Sequence, residues 1–202
     1  MTLSVFALNC TLKSSPAASS CELLLRQTLG AFAEHGASGE LLRAADFDIR
    51  PGVRSDEGNG DEWPLLRGKI LAADIFLLGT PIWLGHPSSL CQRVLERLDA
   101  FLGETDATGR MPSYGKVAGV AVVGNEDGAH HVSAQLYQGL NDVGFSLPAN
   151  AVTYWVGEAM QGKDYKDLPA TPDKVAQTID TLARNGIHLA QLLKTAPYPG
   201  ES

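Results

Sequence analysis

Three short stretches, at positions 3–8, 74–79 and 117–123, are almost wholly apolar, and they constrain this chain more than any other feature. Each has the length of a β-strand, and none alternates apolar with polar residues. A strand without a polar face has to be covered on both sides, as in a parallel sheet with helices packed above and below it. The segments in between supply such helices. After the polar loop Asn9-Cys10-Thr11-Leu12-Lys13-Ser14-Ser15-Pro16, the hydroxyls of Ser19 and Ser20 cap a stretch with Leu23, Leu24, Leu29, Phe32 and Ala33 near helical spacing, which Gly36 and Gly39 end. Further helices are predicted over 63–73, over 88–102 with Leu90, Val94, Leu95, Leu98 and Phe101 on one face, after Gly128 with Val132, Leu136, Leu140 and Val143, and over 171–194.

Two more strands are predicted, at 40–45 and about 150–155, and the strand at 74–79 is expected to stop at Thr80-Pro81 because proline cannot donate to a ladder. Strand and helix thus alternate about five times, and right-handed crossovers turn that order into an open parallel sheet with helices on both faces. Such sheets bind ligands at the carboxyl ends of their strands. Residues 1–196 are read as one domain and 197–202 as a loose tail. The stretch 47–64, rich in Gly, Asp and Pro, is long enough to be a functional or mobile insertion.

Composition removes several classes of function. With 202 residues, 44% of them hydrophobic, the chain can bury one sizeable core. Its net charge of −7 repels phosphate backbones and anionic lipid, which argues against nucleic-acid and membrane partners. No apolar run reaches the ~18 residues of a spanning helix, and the start lacks the basic and apolar regions of a secretory signal, so the cytoplasm is the expected location. Cys10, Cys21 and Cys91 are odd in number and widely spaced, which fits reduced thiols better than a disulfide framework or a paired-cysteine zinc site.

The loops after strands one, three and four are therefore the places to look for chemistry. In the first, Thr11, Lys13, Ser14, Ser15, Ser19 and Ser20 gather hydroxyls and an ammonium at a helix start, whose positive end attracts anions. The same composition also suits a solvated cap. G-x-x-x-x-G-K-[ST] and G-x-G-x-x-G are both absent, so neither a Walker loop nor a dinucleotide fingerprint is present. In the second, Gly79-Thr80-Pro81-Ile82-Trp83-Leu84-Gly85-His86-Pro87-Ser88 joins two glycines, two prolines and a large aromatic to a buried strand, an arrangement suited to a flat aromatic ligand. Taken alone, Trp83 more commonly caps a core or fills a subunit interface. In the third, Gly124-Asn125-Glu126-Asp127-Gly128-Ala129-His130-His131 brings carboxylates and imidazoles to the same edge. Adjacent histidines point different ways on a helix and no distant His/Cys set completes a site, so no metal is expected. Asp127 is expected to cap the next helix and His131 to face the ligand.

Together Asn9-Cys10-Thr11-Leu12-Lys13, the Gly79 to Gly85 turn with its Ser-Ser-Leu helix start, and Gly124-Asn125-Glu126-Asp127-Gly128-Ala129 resemble the three flavin loops of the flavodoxin-like NAD(P)H-dependent FMN reductase and quinone reductase family. The resemblance runs from strand one through the fifth strand. It implies a flavodoxin-like α/β three-layer sandwich with a five-stranded parallel sheet in the order 2-1-3-4-5. Carried over by position, Thr11, Lys13, Ser19 and Ser20 hold the FMN phosphate. Pro81, Ile82, Trp83, Leu84 and Gly85 wrap the ring near N5, while Asn125, Glu126, Asp127 and Gly128 lie along its pyrimidine edge. Cys10 stands where many relatives have glycine, and Lys13 where several have arginine.

The activity implied is hydride transfer from NAD(P)H to FMN, followed by delivery of two electrons to a quinone, flavin or similar small aromatic acceptor. The cofactor carries that chemistry. No side chain is required as acid or base, with His131 and Tyr154 as candidate proton donors. Relatives complete the pocket with a second subunit, so a homodimer or homotetramer is expected. Two other readings stay open: an electron-transfer flavodoxin, to which the greater length and the 47–64 insertion are less suited, and a cofactor-free regulator on the same fold. G-x-S-x-G is absent, which disfavours a hydrolase.

Overall fold

A computed structural model describes residues 2–158 and 162–200. In chain order the elements are β1 (Ser4–Asn9), α1 (Ser20–Glu34), β2 (Ser38–Arg43), α2 (Trp63–Ala72), β3 (Ile75–Trp83), β4 (His86–Pro87), α3 (Ser89–Leu98), β5 (Val117–Gly124), α4 (Ala129–Asp142), β6 (Val152–Val156) and α5 (Asp173–Thr195). Five strands form one parallel sheet in the order β2-β1-β3-β5-β6. In sequence order of the parallel strands this is the 2-1-3-4-5 arrangement that the family resemblance implied. No helix among the described residues is long and apolar enough to cross a membrane.

The apolar runs lack alternation because both of their faces are inside. Phe6 and Leu8 of β1, Phe76 and Leu78 of β3, and Val120 and Val122 of β5 point into a core shared with Ile70 of α2, Val94 of α3 and Leu136 of α4. Their neighbours Val5, Ala7, Ile75, Leu77, Ala121 and Val123 point the other way, against Leu24 and Leu25 of α1 and Ile179 and Leu182 of α5. Burying each of these valine, leucine, isoleucine and phenylalanine side chains stabilises the fold by roughly 1.5–3 kcal/mol. Gly79 lets α1 approach the sheet: a Cβ there would lie 2.5 Å from Leu25 and 3.0 Å from Cys21. All three cysteines are free and buried in these layers.

The sequence expectation for the end of β3 is corrected. The strand does not stop at Thr80-Pro81 but continues to Trp83, and then doubles back as the two-residue β4, a sixth strand. Pro81 is tolerated because only one ladder partner is absent. Cys10 N–H donates to Gly79 O at 2.8 Å, so the next rung would run from residue 81 to Cys10 O. Proline has no hydrogen to give, and Ser88 Oγ donates to that carbonyl instead, at 2.6 Å.

Three smaller expectations also shift. β2 spans Ser38–Arg43 rather than 40–45, because Ala44–Asp46 tighten into a 3₁₀ turn. The 47–64 stretch is tied down by Arg97 of α3, whose guanidinium is fully buried. It donates to Asp61 Oδ2 at 2.7 Å and to the carbonyls of Arg50 and Arg54 at 2.8–3.0 Å. Burial opposes ionisation of Asp61, but the Arg97 bond and N–H groups of Glu57, Arg50 and Trp63 outweigh it and hold this carboxyl well below the usual range. The tail expected to be loose makes contacts at Tyr198, whose Oη accepts from Ser146 Oγ at 2.9 Å and whose ring meets Tyr114 edge-on.

Candidate functional site

The carboxyl ends of β1, β3, β5 and β6 converge on a cavity of about 210 Å³. At one end stand Thr11, Lys13, Ser19 and Ser20, and at the other Pro81, Ile82, Trp83 and Asn125, so eight of the residues singled out from sequence line one space. Leu12, Val123, Gly124 and Trp155 complete its sides.

The end at α1 is built from polar side chains on a charged scaffold. Asn9 is buried, and its Oδ1 accepts from Thr11 N–H at 3.0 Å, which turns the chain out of the sheet. Ser19 is the N-cap of α1, its Oγ accepting from Glu22 N–H at 3.2 Å. The N–H groups of Ser20 and Cys21 have no partner among the described residues, so the positive end of a 15-residue helix faces the cavity. Glu22 in that first turn would oppose an anion, but its carboxylate is engaged. Arg26 donates to it at 2.7 Å, and the buried Arg43 pairs with it too. Desolvation pushes the Glu22 pKa upward, and these two arginines more than reverse that, leaving it below the usual carboxylate value. Arg43 also donates to the carbonyls of Lys13 and Ser14 at 3.2 and 3.1 Å, which fixes the loop from beneath.

The other end is built from backbone. Trp83 and His86 pair across a two-residue turn in which Leu84 and Gly85 both have positive φ, +52° and +77°. That conformation suits a tight hairpin, yet costs a non-glycine residue about 1–2 kcal/mol. Glu126 Oε1 accepts from Leu84 N–H at 2.8 Å and braces the turn. Gly128, at φ +125°, lies so close beneath it that a Cβ would sit 2.8 Å from Gly85 Cα. Leu84, Gly85, Glu126, Asp127 and Gly128 thus shape the wall without lining the cavity. Asp127 does not cap α4 as expected: the N-cap is Gly128, with no side-chain cap, and Asp127 Oδ1 accepts from the N–H of Gly128 itself at 2.7 Å.

His131 and Tyr154 do not face the cavity. His131 stacks edge-on with His86, ring centroids 5.2 Å apart, in the groove between α3 and α4. Tyr154 Oη meets His130 Nε2 at 3.1 Å on the outer side of β6. A residue one place along a strand changes face, and Trp155 points inward where Tyr154 points out. Sequence reading missed Trp155, together with Asp164, Tyr165 and Lys166, which line the cavity from the segment before α5. Trp155 stands at the carboxyl end of the last strand, outside the loops after strands one, three and four. Its ring packs on Tyr165 and requires Gly157, where a Cβ would lie 2.6 Å away.

Residues 3–161 match the model of the NADPH-dependent FMN reductase family. The chain belongs to that family. It is accordingly an FMN-containing oxidoreductase that uses NAD(P)H as reductant. It is 35% identical, over 98% of its length and 81% of the relative's, to 8-demethyl-8-aminoriboflavin-5′-phosphate synthase of Streptomyces davaonensis. It is also 36% identical to a protein of Mycobacterium bovis named divalent metal cation transporter MntH, with 93% of the chain matching only 28% of that protein's length. Among solved structures, RosB with the bound intermediate 8-demethyl-8-formylriboflavin-5′-phosphate superposes with a TM-score of 0.87 at 34% identity, covering 98% of this chain and 82% of that one. An NADH:FMN oxidoreductase shares the fold, with a TM-score of 0.63 at 19% identity over 95% of this chain and 90% of that one.

The residues present suit FMN. A helix start with free N–H groups, hydroxyls and an ammonium matches a phosphate monoester. A slot walled by Pro81, Ile82, Trp83, Val123 and Trp155 matches a flat aromatic ring.

Proposed function

We propose that this chain takes hydride from NAD(P)H onto an FMN held in the β1–β3–β5–β6 cleft and passes two electrons to a planar aromatic acceptor such as a quinone or a second flavin. The observation that carries this reading is the apolar slot between Trp155 and a half-exposed Trp83, polar at its α1 end and open to solvent at its mouth. The flavin, when bound, supplies the hydride chemistry. Thr11, Lys13, Ser19 and Ser20 would hold its phosphate, Pro81 to Gly85 would flank the ring, and the N–H groups of Asn125 and Glu126, which have no partner among the described residues, would serve as donors to negative charge on it. With His131 and Tyr154 turned away, the acceptor takes its protons from water at the open mouth.

Leu12, Trp83 and Leu84 are exposed around that mouth, which supports a homodimer or homotetramer with a neighbouring subunit over the cleft. A net charge of −7 and three free thiols suit the cytoplasm.

A second reading has a specific observation behind it. Likeness to RosB covers 98% of the chain at TM-score 0.87, against 0.63 for the NADH:FMN oxidoreductase. On this reading the flavin phosphate is itself the substrate and is altered at its 8-position, as the Streptomyces relative's name describes for that enzyme. One experiment separates the two: purified protein in air with FMN and either NADPH and a simple quinone or an amino-acid amino donor, followed by NADPH absorbance and by mass spectrometry of the flavin. Multiple turnovers with unchanged flavin mass support the reductase; a changed flavin mass without quinone-dependent NADPH loss overturns it.

A further inference from the structure

The segment before α5 lies beyond residue 161, where the match to the family ends, yet three successive residues of it wall the cleft. Asp164 Oδ1 accepts from Asn125 Nδ2 at 3.2 Å, at the ring end. Tyr165 is buried, and its hydroxyl donates to Gln27 Oε1 at 2.6 Å. Lys166 N–H donates to Ser20 Oγ at 3.2 Å, at the α1 end. Tyr165 therefore pins the segment, and Lys166 is fixed beside the helix start that suits a phosphate.

Charge balance asks for a cation there. A phosphate monoester carries about −1.5 to −2 near neutral pH, while the α1 terminus offers roughly +0.5 and the exposed Lys13 one full charge. Lys166 is the other ammonium lining the cleft. Building on the reading that puts the FMN phosphate at α1, we propose that Lys166 is a second phosphate-binding cation and that it makes the site select phosphorylated flavin over riboflavin.

Its present partners do not prevent this. The ammonium sits 2.7 Å from Asp167 and 3.4 Å from Asp164, and these carboxylates are about half exposed, at 52% and 46%. Water and salt screen such pairs, whereas a charge-assisted bond to phosphate at a helix start is strong. Asp167 and Asp164 also raise the Lys166 pKa above the ordinary lysine value, so it is charged throughout the neutral range.

The test is a fluorescence titration of flavin-free full-length protein with FMN and, separately, riboflavin, for wild type and for the Lys166→Gln, Lys166→Arg and Lys13→Gln variants. Lys166→Gln is expected to weaken FMN about tenfold, equivalent to ~1.4 kcal/mol, and to leave riboflavin unchanged, with Lys166→Arg restoring FMN affinity. Equal losses for both flavins, or none, overturn the role of Lys166. If Lys13→Gln discriminates between the flavins while Lys166→Gln does not, only the second cation falls. If neither does, the placement of the phosphate at α1 falls with it.

Discussion

The two ends of the cleft are made differently. At the α1 end, side chains line the cavity and buried charge holds them: Arg43 bridges Glu22 to the Lys13 and Ser14 carbonyls. At the Trp83 end, backbone forms the wall, and what holds it is the absence of a side chain at Gly128, the positive φ of Gly85 and one buried hydroxyl at Ser88. A cradle of side chains yields gradually to substitution and to pH. A wall of closely apposed backbone yields to a single methyl group.

The largest expected effect tests that contrast. Gly128→Ala puts a Cβ against the Gly85 backbone at a φ that L residues rarely adopt, with no flexible side chain to move aside. A loss of about 3 kcal/mol in urea unfolding is expected, together with purification without flavin. Arg43→Met comes next, at about 2 kcal/mol, because Glu22 and two carbonyls lose their donor while Arg26 still screens the carboxylate. If α1 holds the phosphate as proposed, flavin binding in that variant should weaken for FMN more than for riboflavin.

Ser88→Ala is expected to cost about 1–2 kcal/mol. Ser88 is at once the N-cap of α3, accepting from Cys91 N–H at 3.1 Å, and the donor to Cys10 O, while its own N–H bonds Thr80 Oγ1 at 3.0 Å. It stitches both ends, so FMN and riboflavin affinity should fall together. That equal fall, measured by titration, distinguishes it from Arg43→Met.

The smallest effect is a pH dependence confined to the α1 end. Glu22 has a lowered pKa in the folded chain, so its contribution is fully present above the ordinary glutamate value of about 4.3 and is lost as pH falls through the lower folded value. Urea midpoints followed below about pH 5 should decline less steeply for Glu22→Gln than for wild type. An identical decline in both would remove Glu22 as the acid-sensitive part of the scaffold.

Much of this was legible in the linear chain, for reasons that are local. Uninterrupted apolar runs can only be doubly covered strands, as Phe6, Leu8 and Val5, Ala7 demonstrate by pointing into opposite cores. Ser19 announces a helix start because its hydroxyl reaches a donor three residues on. The strand runs on past Pro81, against the sequence expectation, because the compensating donor, Ser88, is distant from Cys10 in sequence, a separation of 78 positions. His131 was misplaced because which way a helical side chain points depends on what the helix packs against, here the groove with His86.

What the sequence determined by itself is the alternation of buried strands and capped helices, and with it the rim at which three loops meet, because period, capping and turn chemistry act over a few residues. What only the tertiary structure decided is the fourth wall. Lys166 meets Ser20 across 146 positions and Tyr165 meets Gln27 across 138. Contacts that distant leave no periodic trace in the chain, since they come from how helices and strands stack and not from any preference of the residues that make them.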